Sequence, residues 1–203
     1  MKTFLIAMSL LVLSLAASPQ AEIDRVVAAS NGMEASFTQQ FTPKGFKTPQ
    51  TESGTVVFGK LPAMRWTYTA PEAKTFVFDG SQSWFYVPSD QQVTITTITD
   101  QRKRDLPFLL LGDPAARARY FDMREKAHGS TTDTSLSPRD RTAPIRQVTI
   151  ETDASTHLIN SIAYTDRDGN RTLFRFFSYH PAHLSAGTFT FVAPAGVQVV
   201  RGD

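Results

Sequence analysis

Between Phe58 and Tyr86 the chain sets eight aromatic residues in 29 positions, and they cluster on alternate residues: Trp66 with Tyr68, Phe76 with Phe78, Trp84 with Tyr86. A period of two belongs to the pleated strand, whose successive side chains point to opposite faces; on a helix the same spacing would scatter the rings around the axis. The stretch therefore has to form sheet. Turn signals at Asp79-Gly80-Ser81 and Pro88-Ser89-Asp90 cut it into short pieces, and the same patterning predicts strands over residues 35–42, 54–58, 64–69, 75–78, 83–87 and 92–98. It resumes over 146–152, 158–166, 171–177 and 188–192, with Asp166-Arg-Asp-Gly169-Asn170 reading as a hairpin turn that needs Gly169 at positive φ. Short strands joined by tight turns make an antiparallel meander, and a meander this long curls toward a barrel or splits into two sheets.

Helical spacing appears in three places. Ile23, Val26, Val27 and Ala28 predict a short amphipathic helix from Glu22 to Asn31-Gly32. Asp105 reads as an N-cap for the apolar run 106–111, which Gly112 ends, and Asp113-Pro114 starts a further helix. Residues 129–144 are polar and rich in Pro, Ser and Thr, which predicts a surface loop around at most a short strand.

At the N-terminus, Lys2 precedes an apolar run over residues 4–17 broken only by Ser9 and Ser14. That is the pattern of a secretory signal, shorter than the about 20 residues that span a bilayer. Cleavage is expected after Ala21, leaving 22–203 as a single soluble domain. The chain has no cysteine, hence no disulfide, no thiol nucleophile and no acylated N-terminal Cys of a bacterial lipoprotein. With 21 basic against 19 acidic residues it is close to neutral, which argues against a nucleic-acid partner.

Catalytic signatures are missing. His180 and His183 could face one metal ion, but no Asp or Glu lies between Asp168 and Asp203 to complete the set, so no metal is expected. There is no Gly-x-Ser-x-Gly elbow, no phosphate-cradling loop and no His-Glu-x-x-His, so neither cofactor nor enzymatic activity is expected, and a secreted enzyme is the weakest alternative. Arg102-Lys103-Arg104 reads as a solvated run beside the apolar helix, or as a contact for anionic lipid or an acidic partner. The rings leave two readings open. On an ordinary one-sided sheet they face a core; on a curved sheet they line a cavity closed by the apolar residues 106–111.

Taken in order, Ala35-Ser-Phe-Thr-Gln39, Gly54, Trp66-Thr-Tyr68 with Pro71, Phe78-Asp-Gly80, Trp84-Phe-Tyr86-Val-Pro88, Pro107-Phe-Leu-Leu-Leu111, Phe189-Thr-Phe191 and Pro194-Ala-Gly196-Val197 resemble the periplasmic lipoprotein carriers of the LolA family. The resemblance implies a mostly β fold, an incomplete antiparallel β-barrel with a short helical lid over an apolar cavity. It further implies a monomeric periplasmic chaperone that takes the acyl chains of lipoproteins from an inner-membrane ABC-type exporter toward an outer-membrane acceptor. A lipid- or lipoprotein-sensing module of the same fold is the alternative. Cavity and lid then fall to Phe37, Phe58, Trp66, Tyr68, Phe78, Trp84, Tyr86, Leu106, Phe108, Leu109 and Leu111. Where the family has an Arg whose bonds to the lid hold the empty carrier shut, ungapped register from Gly54 to Trp66 puts Lys60, so the resemblance implies Lys60 as a lid latch on the carbonyls of residues 110–112. The other reading of Lys60 is a side chain in solvent at a strand end.

Overall fold

The computed structural model describes residues 18–99, 102, 103, 109 and 111–202. The apolar run 4–17 and the expected lid residues Leu106 and Phe108 lie outside the described residues. Helix α1 (Pro19–Ser30) begins three residues before the sequence-based expectation, because Ser18 supplies an N-cap: its Oγ accepts from the Ala21 N–H at 3.3 Å and Pro19 takes the first turn. Ile23 and Val26 form its buried stripe.

Strands β1 (Met33–Thr42), β2 (Gln50–Phe58), β3 (Met64–Ala70), β4 (Lys74–Phe78), β5 (Gln82–Val87) and β6 (Gln92–Thr97) follow as the predicted meander. Then come helix α2 (Pro114–Tyr120), β7 (Phe121–His128), β8 (Thr131–Pro138), β9 (Ile145–Asp153), β10 (Ile159–Asp166), β11 (Arg171–Pro181) and β12 (Gln198–Gly202). All twelve belong to one sheet in the order β12-β6-β5-β4-β3-β2-β1-β11-β10-β9-β8-β7. Every neighbouring pair is antiparallel apart from β12, which lies parallel to β6. The outermost strands, β7 and β12, do not pair with each other, so the barrel stays incomplete.

Three expectations needed correction. The polar stretch 129–144 contains a full strand, β8, whose buried positions are Thr132, Thr134 and Leu136, so hydroxyls stand where an apolar alternation was sought. Residues 188–192 are not a strand; they cross the outer face of the sheet as turn and coil, with Thr188 O and Thr190 O both accepting from Arg65 Nη1 at 3.4 Å. Strand β12 follows them, and β7 precedes β8, both where no strand was expected.

Residues paired directly across antiparallel strands share a face, and the register divides the rings in two. Phe37, Val56, Trp66, Phe76, Phe85, Phe174 and Phe176 fall on the inner face, toward α1. Ile162, Ile150, Val148 and Leu136 continue that face over β10, β9 and β8. Val77, Trp84, Tyr86 and Val93 fall on the outer face.

Candidate functional site

The inner face of β1–β3 and β11 is a closed lattice of rings. Phe37 meets Trp66 edge-on at 5.0 Å and Tyr68 at 4.9 Å between centroids, Trp66 meets Phe174 at 5.3 Å, and Phe58 lies 6.0 Å from Phe176. These T-shaped and tilted pairs are the arrangements that ring quadrupoles favour. Phe37, Phe58, Trp66 and Phe78 are all at most 4% exposed, so the lattice is fully covered. The same buried cluster takes in Ile23 and Val26 of α1, together with Leu61, Ile98, Leu109 and Leu111. Tyr68 sits at the edge: its ring packs inward while its hydroxyl donates to Gln39 Oε1 at 2.7 Å, next to the Lys74–Glu52 ion pair of 2.5 Å. Burial, with Glu52 adding its charge, pushes the Tyr68 phenol well above its ordinary pKa, so it stays a neutral donor.

Of the residues singled out from sequence, Phe37, Phe58, Trp66, Tyr68, Phe78, Leu109 and Leu111 are thus brought together. Trp84 and Tyr86 are not. The register pairs Val77 with Trp84 and Thr75 with Tyr86, which sends both to the outer face, and Phe85 between them points inward. Outside, Tyr86 packs on Phe191 at 5.3 Å, and the Phe189 ring covers Gly59, where a Cβ would come within 2.6 Å of it. The alternation was read correctly, but the face was not, because period two does not say which set points in. Phe174 and Phe176 were missed, although β11 carries the same alternation.

Of the carbonyls expected to take the latch, those of Leu111 and Gly112 lie among the described residues. Lys60 is exposed in the β2–β3 turn, and among the described residues its side chain makes no hydrogen bond or ion pair. Gly112 does reach that turn, through backbone: it lies so close to Leu61 O that no Cβ could fit. The Leu111 carbonyl accepts instead from Nη1 of Arg117, a fully buried arginine on α2. The Arg117 Nη2 donates to Asp24 of α1, and its Nε to Gln20 Oε1 at 3.4 Å. One guanidinium therefore ties α1, α2 and the lid's last carbonyl, the fork geometry that Lys lacks. Burial lowers the Arg117 pKa from its ordinary value while Asp24 raises it, and an arginine stays charged through such shifts.

A second buried polar group fixes α1 to the sheet. Glu22 accepts from Arg25 at 2.7 Å and from Thr152 Oγ1 at 3.1 Å, and lies 3.2 Å from His157 Nδ1. Burial pushes its carboxyl up, but the bonds from Arg25, His157 and Thr152 outweigh this and hold it below the usual carboxylate range.

Residues 28–192 match the family described as outer membrane lipoprotein carrier protein LolA. A protein of Vibrio parahaemolyticus named outer-membrane lipoprotein carrier protein is 31% identical over 185 residues, covering 91% of this chain and 86% of that one. One of the same name from Aliivibrio fischeri is 28% identical over 201 residues, 98% of each chain. Among solved structures, an uncharacterized conserved protein from Thermus thermophilus superposes with a TM-score of 0.58 at 14% identity, covering 92% of this chain and 100% of that chain. The MucA/MucB complex of Pseudomonas aeruginosa superposes at 0.51 with 16% identity, covering 87% and 62%. At such identities these likenesses bear on the fold alone.

Proposed function

The chain belongs to the LolA family of outer-membrane lipoprotein carrier proteins, and on that premise we propose that the ring-lined inner face takes up the acyl chains of a lipoprotein in the periplasm, receiving them from an inner-membrane ABC-type exporter and yielding them to an outer-membrane acceptor. The observation that carries the reading is the cover: an aromatic face buried under α1 and the lid, whose end is held at the Leu111 carbonyl by Arg117. Each methylene of an acyl chain left in water costs about 0.8 kcal/mol, so a diffusing carrier has to enclose its cargo. Rings packed edge to edge can part along their contacts and meet acyl chains with the same apolar faces.

Loading opens the cover. Lifting Leu111 breaks its bond to a buried guanidinium, and a charge-assisted bond of that kind contributes about 1.5–3 kcal/mol. The latch thus opposes uptake and assists release, and we assign it to Arg117 rather than Lys60. Export by the N-terminal apolar segment completes the reading. A cut after Ala21 would remove the Ser18 cap and the bonds of Gln20 to Pro114 O and Arg117, so we place the cut ahead of Ser18.

Two single-tryptophan variants test the binding surface. With Trp84→Phe, the fluorescence of Trp66 shifts on adding a triacylated peptide and not its unacylated form. With Trp66→Phe, the outer-face Trp84 stays silent. Equal responses to acylated and bare peptide would sink the carrier reading.

A further inference from the structure

The tips of three hairpins meet at one end of the sheet. The β1–β2 tip (43–49) touches the β10–β11 tip: the Lys44 N–H donates to Asn170 Oδ1 at 3.0 Å and the Lys44 side chain lies over Gly169. The β10–β11 tip touches the β8–β9 loop: the Arg167 N–H donates to Pro144 O at 2.8 Å, Arg167 Nη2 to Arg141 O, and Arg146 Nη2 to Arg167 O at 2.5 Å. Across residues 43–49, 138–146 and 166–171 this surface carries seven basic side chains against three carboxylates, while the whole chain has 21 against 19. The rest of the molecule is therefore net acidic, and the charge is polarised toward this end.

Two of the three carboxylates are turned into their own loops, Asp140 onto Thr142 and Asp166 onto Asn170. Arg139 is paired with Asp122 at 3.0 Å, whereas the guanidinium groups of Arg146 and Arg167 bond to carbonyls, which leave their charge in place. From one side of this field, on the β1–β2 tip, projects Phe46, 69% exposed, with Lys44 and Lys47 exposed on either side.

We propose that this end docks on an anionic bilayer, Phe46 entering at head-group level while the surrounding lysines and arginines meet lipid phosphates. A single ring on a narrow tip, flanked by cations, suits an interface that is soft, apolar below and negative above. A protein partner would call for a broader apolar centre. The inference rests on the carrier reading for its purpose, since acylated cargo enters and leaves at membranes, but its chemistry is independent of the ring-lined face.

The test is co-sedimentation of the full mature chain with phosphatidylglycerol/phosphatidylethanolamine vesicles against phosphatidylcholine vesicles, at low and high salt. Binding is expected to the anionic vesicles only and to be reversed by salt. The Lys44→Gln/Lys47→Gln pair should weaken it roughly twenty-five-fold, about fivefold for each cation removed. Phe46→Ser should also weaken it, and Phe46→Trp should add a fluorescence component that moves to the blue only with anionic vesicles. No binding at low salt, as an exclusively protein-facing patch would give, overturns the proposal, and so does binding that these substitutions leave unchanged. Triacylated-peptide binding by the same variants is measured alongside and is expected to stay at the wild-type level. A failed membrane contact is thereby told apart from a failed carrier.

Discussion

The two faces of the β3–β5 hairpins are built from the same residue types and buried by different means. On the inner face, Trp66 and its neighbours share one buried cluster with Ile23, Val26, Leu109 and Leu111, and the Leu111 carbonyl is held by Arg117, itself fully buried. On the outer face, Val77 and Val93 are fully buried, and Arg65 holds coil 186–197 through two long bonds of 3.4 Å. The inner cover is thus fastened at a few polar points gathered on one guanidinium. The outer cover is fastened by strand β12, by the Phe191–Tyr86 contact and by Phe189 over Gly59. If the inner cover opens for cargo, as proposed above, the two covers differ in how localised their attachment is, more than in how apolar they are.

The largest expected difference between the faces is in packing. Trp66→Ala should cost about 3–5 kcal/mol in urea unfolding, because it leaves a hole among Phe37, Phe174 and Phe176. Trp84→Ala, at a half-buried position, should cost well under that, and equal losses would erase the distinction. Next come the two arginines. Arg117→Met strands the Leu111 carbonyl and Asp24, for a loss of about 2–3 kcal/mol, moderated by the half-exposed Asp24. It should also leave acylated-peptide binding as tight or tighter and slow transfer to an acceptor. Arg65→Met should cost under about 1 kcal/mol and change neither. A transfer defect in Lys60→Gln rather than Arg117→Met would return the latch to the β2–β3 turn. Smaller still, Phe191→Ala should cost about 1 kcal/mol with acyl binding intact. Weaker acyl binding in that variant would mean that the outer face takes part.

The smallest effect concerns α1 and pH. The folded-state pKa of Glu22 lies below its unfolded value of about 4.3, so its stabilisation is complete above that pH and is lost as pH falls through the folded value. Wild type should therefore exceed Glu22→Gln by about 1 kcal/mol at neutral pH. The gap should close in acid, as followed by thermal unfolding between neutral pH and pH 3. A gap that widened in acid would mean that the carboxyl is not held ionised by Arg25 and His157.

What could be read from sequence was whatever a few adjacent residues decide. Asp79 bonding the Ser81 and Gln82 N–H groups and Gly169 at φ 90° are local devices, and the strands they join were legible. Strand β7 was not, because Asp122, Arg124, Lys126 and His128 share the outermost strand with few apolar residues to mark it. Strand β12 owes its state to β6, a partner about a hundred residues away. Arg117 reads as an ordinary helix-surface residue, and only the tertiary approach of Asp24 and Leu111 makes it interior. The inner ring set was half legible for the same reason: alternation is local, whereas the choice of face is made by α1 and by the C-terminal coil.

The position of β1 sets the order in which this molecule can assemble. It is an early strand and lies in the middle of the sheet, paired on one side with β2 and on the other with β11, Thr42 against Arg171 and Met33 against Pro181. During synthesis the second partner emerges long after the first, so the growing chain holds β1 as an open edge for most of its time on the ribosome. The two halves of the sheet cannot be joined until β11 arrives. Released chains truncated before Arg171 should therefore keep β1 as an open, protease-sensitive edge, whereas chains that include all of β11 acquire protection there.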